Sequence, residues 1–149
     1  MRSAPARGLA GLGIVVVMLA SCSDDPSSAQ GAEHGSYVLI QINNQNLPFS
    51  LTPNQGAAVV EAGSLDLTGG LAGGSTYAAR LDGMRNNEFV TLFTDAGMYA
   101  RTGSSVSFHS SIVPTLSSQG TVSGSNVVTV SIPGVAVGTT GTVNLRFQK

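Results

Sequence analysis

From residue 36 onward, hydrophobic and polar residues alternate in short runs with a period of two, which is the pattern of half-buried β-strands. In the first run, Val38, Ile40 and Ile42 are expected on one face, and in a later run Phe89 and Phe93 are expected to share a face. No stretch of the domain has a convincing helical period. The pattern predicts eight or nine strands, near residues 37–43, 59–67, 75–81, 87–94, 97–101, 104–110, 118–123, 126–132 and 142–148.

Turn-forming residues separate these runs and predict how the strands are connected. The predicted turns are Asn43-Asn44, Asp82-Gly83, Asn86-Asn87, Ala96-Gly97, Thr102-Gly103 and Gly124-Ser125. Pro48 and Pro53 predict a longer loop or a short edge strand after the first strand, and the glycine-rich residues 69–74 predict a flexible hairpin loop. Short connections favour antiparallel hairpins that close into an up-and-down β-barrel without exposed edges. The alternative is a β-sandwich, which needs long crossovers.

Short glycine and aromatic motifs recur along the predicted strands. They read GSY at 35–37, GMY at 97–99, GSSVSF at 103–108 and GTVSGSNV at 120–127. This series resembles the lipocalin-like, or calycin-type, barrel of small bacterial lipoproteins, and it covers most of residues 35–148. The resemblance implies a barrel of about eight strands. Such a barrel is just wide enough to be filled by side chains or to hold one small ligand.

The composition fits a single turn-rich β domain and excludes one class of partner. The chain has 149 residues, of which 42% are hydrophobic and 10% charged, with 19 glycines and no tryptophan. Its formal net charge is −1, and lysine and arginine do not cluster. Because a nucleic-acid backbone requires a basic face, we expect no nucleic-acid partner.

The N-terminus has the features of an export signal. Arg2 and Arg7 form a positively charged segment before an apolar run at 9–20. This run is shorter than the roughly 20 residues of a membrane-spanning helix. The run ends in LASC at 19–22, which resembles the bacterial lipoprotein box. The resemblance implies a signal peptide over 1–21, cleavage between Ser21 and Cys22, and a diacylglycerol thioether on Cys22. An ordinary secretory signal cut near Ala20 is the alternative.

Acylated Cys22 would attach the protein to a bacterial membrane, since two or more acyl chains anchor a protein firmly. By the sorting rule of this family, Ser23 after the cysteine favours the outer membrane, facing the periplasm. Residues 22–35 contain the lipidated cysteine and a polar stretch that is expected to be a disordered tether. His34 is expected to be a solvated residue of that tether, and 36–149 is expected to form the barrel domain.

The sequence contains no recognisable catalytic constellation. It lacks a Gly-x-Ser-x-Gly elbow, and His109 is expected on the solvent side of its strand, so we predict no catalytic, cofactor-binding or metal-binding residue and no enzymatic activity. Five acidic residues of the domain are expected at solvated strand ends, turns and surfaces: Glu61, Asp66, Asp82, Glu88 and Asp95. Arg80 and Arg146 are expected to point outward, although inverted faces would direct them into the lumen to bind an acidic ligand.

Two functions therefore remain open for a lipid-anchored envelope protein. In the first, the barrel binds a small apolar or amphipathic ligand, whose contacts the sequence does not identify. In the second, the barrel is filled by Phe89, Phe93, Phe108 and Phe147, and its outer surface docks another envelope protein. An exposed apolar patch on a packed barrel would favour the second function over the first.

Overall fold

All ten strands belong to one antiparallel sheet in the computed structural model, which describes residues 33–51, 57–69 and 74–149. A 3-10 turn, Gly134–Val137, precedes the last strand. The strands are β1 (Gly35–Ile42), β2 (Gln45–Asn46), β3 (Phe49–Leu51), β4 (Ala58–Thr68), β5 (Ser75–Arg85), β6 (Glu88–Thr102), β7 (Ser105–Ser110), β8 (Ser117–Ser123), β9 (Val127–Pro133) and β10 (Thr142–Gln148).

The sheet closes on itself through its first long strand. Residues 35–38 of β1 pair with β4, and residues 38–42 pair with β10. From β4 to β10 each strand pairs with the next along the chain, so eight strands form a closed up-and-down barrel. This confirms the predicted barrel and excludes the β-sandwich. The short strands β2 and β3 lie beside the ring, where the prolines predicted an interruption.

Two turns of the barrel are asparagine pairs whose backbone is left-handed. Asn43 and Asn44 have φ values of 49° and 65°, and Asn86 and Asn87 have values of 53° and 66°. Positive φ at both central residues matches the right-handed twist of the flanking strands, and asparagine tolerates it better than most residues. These two turns were predicted correctly, as were those containing Gly103 and Gly124.

Two of the predicted turns are wrong, because their glycines lie inside strands. Gly83 is in β5 and Gly97 is in β6, so the runs predicted at 87–94 and 97–101 form one continuous strand. A Cβ on Gly83 would lie 1.9 Å from the Val59 carbonyl oxygen, and one on Gly97 would lie 2.0 Å from that of His109. These glycines are required by the close approach of a neighbouring backbone, a second role of glycine in strands.

The predicted inward face of β1 is wrong for Val38, which precedes a bulge, and correct for Ile42, which follows it. Leu39 pairs with Phe147 and Gln41 with Arg146, which leaves Ile40 as the extra residue. The bulge shifts the alternation by one position, so the inward residues are Tyr37, Leu39 and Ile42, whereas Val38 is 61% exposed.

A second bulge inverts part of β6. Leu81 pairs with Phe93 and Asp82 with Thr91, which leaves Leu92 as the extra residue. Phe93 therefore packs against the core, whereas Phe89 is 61% exposed. The prediction that Phe89 helps to fill the barrel is wrong, while Phe108 and Phe147 are buried as expected.

The two ends of the barrel differ in their connections. We call the end where β1 begins the base; it includes the tight turns at 103–104 and 124–126. The opposite end, the mouth, includes the asparagine turns at 43–44 and 86–87 and two longer connections at 111–116 and 134–141. The 3-10 turn in the last of these buries Val137 in the hydrophobic core.

The last residues of the predicted tether are ordered parts of the barrel base, which corrects the boundary predicted there. The side chain of Glu33 is 1% exposed, and its carboxylate accepts a hydrogen bond from Arg101 at 2.5 Å. The Tyr37 hydroxyl donates to the Glu33 carbonyl oxygen, and Gly35 already belongs to β1. His34 is partly buried and is not fully solvated.

Several predictions concern residues outside the described ranges. These are the signal peptide at 1–21, cleavage between Ser21 and Cys22, lipidation of Cys22, the tether as far as residue 32, Pro53, and the tip of the glycine-rich loop at 70–73.

Candidate functional site

The interior of the barrel is filled by side chains. Rings from different strands pack there, with Tyr77 of β5 and Phe108 of β7 in an edge-to-face arrangement whose centroids are 5.0 Å apart. What remains is a core cavity of about 20 Å³, lined by Leu65, Tyr77, Ala79, Phe93, Asp95, Phe108, Ser118, Val130, Ile132, Leu145 and Phe147. A cavity of this volume holds one water-sized group. The described interior therefore has no room for the body of a ligand.

One acid lines this cavity. Asp95, which was expected in solvent, is 5% exposed because it lies on the inward face of the continuous strand β6. Its Oδ2 accepts a hydrogen bond from the Tyr77 hydroxyl at 2.6 Å. Its Oδ1 accepts from the Ser110 hydroxyl and from the Ala96 amide, the latter at 3.0 Å. These donors compensate the desolvation that burying a carboxylate entails.

The Asp95 contacts extend to the loop at the mouth. The Ser110 oxygen accepts hydrogen bonds from the amides of Ile112 and Val113, at 3.1 and 2.8 Å. The Ser111 amide donates to the Ala96 carbonyl oxygen at 2.8 Å. Asp95 thus orients Ser110, and Ser110 fixes the start of the 111–116 connection.

The same environment affects Tyr77. Burial raises the pKa of its phenol, and Asp95 raises it further because its carboxylate accepts a hydrogen bond that only the protonated phenol can donate. Tyr77 therefore remains a protonated donor to Asp95 at neutral pH.

An apolar groove lies at the mouth because the strands there differ in length. β7 and β8 have six and seven residues, whereas β6, which pairs with β7, has fifteen, so the barrel wall is lower between β6 and the loop that follows β9. The resulting mouth groove has a volume of about 510 Å³. It is lined by Leu92, Phe93, Thr94, Val113, Thr115, Leu116, Pro133, Val135 and Ala136. Its volume and its mostly apolar lining are typical of small-molecule sites.

Exposed hydrophobic side chains concentrate at the mouth. Among the described residues, four of the six large exposed hydrophobic side chains lie there: Phe89, Ile112, Val113 and Val135. Val135, on the 3-10 turn, is 79% exposed and lines the groove. A concentration of exposed hydrophobic side chains indicates a binding surface for an apolar ligand or partner, whereas scattered single residues do not.

The other predicted site residues do not join this region. His109 and Arg146 are exposed, as expected, and Arg80 points outward, where its Nε donates to both carboxylate oxygens of Asp82 at 2.8 Å. Glu61 and Glu88 are exposed, and Asp66 is partly exposed. The arginines therefore do not enter the lumen, and the alternative with inverted faces is wrong for Arg80 and Arg146.

Sequence reasoning missed both the groove and the buried acid. The signal for the groove was the brevity of the predicted strands 104–110 and 118–123, but splitting β6 into two runs concealed the contrast in strand length. The signal for Asp95 was its spacing of four from Tyr99, which places both on one face of an uninterrupted strand.

Within the ranges that the structure describes, three or more metal-ligating side chains do not gather at any point. In the same ranges, no helix has the length and apolar character that crossing a bilayer requires. Comparisons with protein-family models, with curated proteins and with solved structures give no match.

Proposed function

We propose that this protein is a non-enzymatic, lipid-anchored protein of the bacterial envelope that binds a small apolar or amphipathic ligand in its mouth groove. The observation that carries the proposal is the contrast between the two spaces of the barrel. The core cavity has about 20 Å³, whereas the mouth groove has about 510 Å³ and a mostly apolar lining. The proposed ligand therefore lies mainly at the mouth and not within the barrel.

The proposed anchor is consistent with this location. Cys22, in the lipobox-like LASC sequence, is the residue to which we assign the lipid, and the chain from it reaches β1 at the base. The groove is at the opposite end of the barrel. Attachment through the base would leave the groove directed away from the bilayer, toward the periplasm if the anchor is in the outer membrane.

We assign no catalytic role to Asp95. Both of its carboxylate oxygens accept hydrogen bonds, and its partner Ser110 accepts two amide hydrogen bonds that shape the loop. These contacts describe an acid that supports the site. The proposal includes no cofactor and no metal.

Native mass spectrometry of the full chain, purified from the envelope of a bacterial host, tests ligand binding. We expect an additional mass that is released on denaturation and is lost in Val135→Asp, which places a charge in the apolar groove. Val38→Asp is the matched control, because Val38 is also exposed but lies on β1, away from the groove. A bare polypeptide mass, together with no response to added amphiphiles, would contradict the proposal.

The anchor has its own test. Cys22→Ser removes the thiol that the lipid requires, so we expect the protein to remain unprocessed and to lose its acyl-dependent membrane attachment. Metabolic labelling with a fatty-acid analogue and membrane fractionation measure both effects. Labelling that persists in the variant would disprove lipidation at Cys22.

A second function is favoured by the exposed side chains at the mouth, which are Phe89, Ile112, Val113 and Val135. In this alternative, the filled barrel is a structural or interaction module, and the mouth docks another envelope protein. Cross-linking in intact cells distinguishes the two functions. A defined protein adduct at the mouth, without a small-molecule mass, would support the second function.

A further inference from the structure

The core cavity and the mouth groove share one lining residue, Phe93. Its ring is partly buried and packs against the core from the groove side. Asp95 is two residues further along β6 and faces inward like Phe93, so the two side chains are separated by about 7 Å along the strand. Phe93 therefore separates an apolar surface from a buried carboxylate.

Among the described residues, the hydrogen-bond donors to the Asp95 carboxylate are neutral groups. It accepts hydrogen bonds from the Tyr77 phenol, the Ser110 hydroxyl and the Ala96 amide. The basic side chains with described ion pairs are elsewhere: Arg80 pairs with Asp82 on the outer wall, and Arg101 pairs with Glu33 at the base. A buried carboxylate without a cationic partner is well suited to a ligand that supplies one.

The cavity beside Asp95 limits the size of the group that enters it. A volume of about 20 Å³ accommodates one water-sized group. A primary ammonium is of this size and donates three hydrogen bonds. Oδ2 of Asp95 accepts only one described hydrogen bond, and the Ser118 hydroxyl is a further polar group of the cavity lining. A bulky head group does not fit, and an anionic one is repelled.

We infer that the ligand of the groove is an amphipathic primary amine. Its apolar body lies along the mouth groove, and its ammonium occupies the core cavity beside Asp95 after the Phe93 ring turns aside. This inference rests on the proposed function, because it assigns the head group of the ligand that the groove binds. It makes Asp95 the residue that selects for charge and the apolar groove wall the surface that selects for a hydrocarbon chain.

Calorimetric titration of the full chain in lipid nanodiscs tests the inference, with empty nanodiscs as the blank. Three six-carbon probes share one apolar body and differ in the head group: hexylamine, hexan-1-ol and hexanoate. We expect hexylamine to bind at least tenfold more tightly than hexan-1-ol, and hexanoate to bind most weakly. This order of affinities is measured on the native chain and does not depend on any variant.

Two variants locate the preference. Asp95→Asn retains the shape of the side chain and removes its charge, so we expect hexylamine to bind no more tightly than hexan-1-ol, whose affinity stays unchanged. Asp66→Asn, on a partly exposed residue of β4, removes the same charge elsewhere and is expected to retain the preference. Circular dichroism spectra of both variants verify that they fold.

The possible failures are distinguishable. If hexylamine and hexan-1-ol bind equally, and Val135→Asp abolishes binding of both, the groove binds ligands but the assignment of the ammonium to Asp95 is wrong. If none of the three probes binds, the proposed function fails together with the inference. If the preference for hexylamine persists in Asp95→Asn, a group other than Asp95 recognises the ammonium, and the inference is overturned.

Discussion

The base and the mouth of this barrel use the same alternating strands to make opposite surfaces. At the base, the tight turns at 103–104 and 124–126 and the ion pair between Arg101 and the buried carboxylate of Glu33 close the structure. All three tyrosines of the chain lie in the half of the barrel nearer the base: Tyr37, Tyr77 and Tyr99. At the mouth, the connections at 111–116 and 134–141 leave hydrophobic side chains in solvent and help to form a groove.

The difference teaches that strand length, more than residue type, separates a closed end from an open one. From the base turns, β7 and β8 extend only part of the way to the mouth, whereas β6 spans the full distance between Thr102 at the base and Glu88 at the mouth. The 111–116 loop covers only part of the gap that the short strands leave in the barrel wall, and it lines the groove. Substitutions in the core and at the base should therefore reduce stability, whereas substitutions at the mouth should mainly reduce binding.

The largest expected effect compares two phenylalanines. Phe108→Ala removes a buried ring that contacts Tyr77, and we expect the free energy of unfolding to fall by about 3–5 kcal/mol. Phe89→Ala removes an exposed ring at the mouth and should change it by less than about 1 kcal/mol. Chemical denaturation measures both. Equal losses would show that the mouth is packed as firmly as the core.

The next effect concerns the ion pair at the base. Arg101→Ala leaves the carboxylate of Glu33 buried without its cation, so we expect a loss of about 3 kcal/mol. Arg146→Ala, which removes the same charge from an exposed position on β10, should change stability by less than about 0.5 kcal/mol. A comparably small loss for Arg101→Ala would mean that the base does not depend on this contact.

Alkaline pH should gradually lower the free energy of unfolding through the three tyrosines in the half of the barrel nearer the base. Burial raises the pKa values of Tyr37, Tyr77 and Tyr99 above 10, the usual value to which they return on unfolding. Unfolding therefore releases protons above pH 10. Stability is complete below that pH and falls as pH rises above it, by up to about 1.4 kcal/mol per pH unit for each tyrosine.

Absorbance at the tyrosinate band follows this titration without interference from tryptophan, which the chain lacks. We expect the three tyrosines to ionise together as the chain unfolds. They should not ionise separately near pH 10 while the chain is still folded. Tyr99→Phe should reduce the pH dependence by about one third. Tyrosines that ionise at pH 10 while the chain stays folded would show that the base half is open to solvent.

The smallest expected effect on stability is at the groove itself. Val135 is 79% exposed, so Val135→Asp should change the free energy of unfolding by less than about 0.5 kcal/mol while it abolishes ligand binding. Thermal denaturation with and without ligand measures both properties in one experiment. A large loss of stability would indicate that the 3-10 turn is part of the core closure and not a binding surface.

The alternation of hydrophobic residues predicted the barrel but not the direction of every side chain. A bulge adds one residue without altering the local composition, so the extra residues Ile40 and Leu92 were not evident, and the predicted faces of the residues before them were inverted. Gly97 resembles a turn residue in sequence, and only the adjacent backbone of His109 explains it. These errors arise because the residues that pair with these positions are distant in sequence, so no local pattern reveals them.

The candidate site was harder to predict than the fold for a related reason. Asp95 is tolerated in the core because Tyr77 and Ser110, on two other strands, donate hydrogen bonds to it. Glu33 is ordered because Arg101, distant in sequence, reaches it. A polar residue looks solvated until its partners are known, whereas an alternating hydrophobic run indicates its own burial. The groove depends on the relative lengths of the strands, and strand ends are the feature that residue propensities predict least well.

The double pairing of β1 also constrains how the barrel folds. Leu39 at one end of the domain pairs with Phe147 at the other, so closure joins residues that are very far apart along the chain. Contacts between residues so distant in sequence slow folding, because the chain loses the conformational entropy of a long loop before these contacts stabilise it. Until β10 docks, β1 and β9 each present a free edge to other chains. The period before closure is therefore the time at which this protein is most exposed to aggregation.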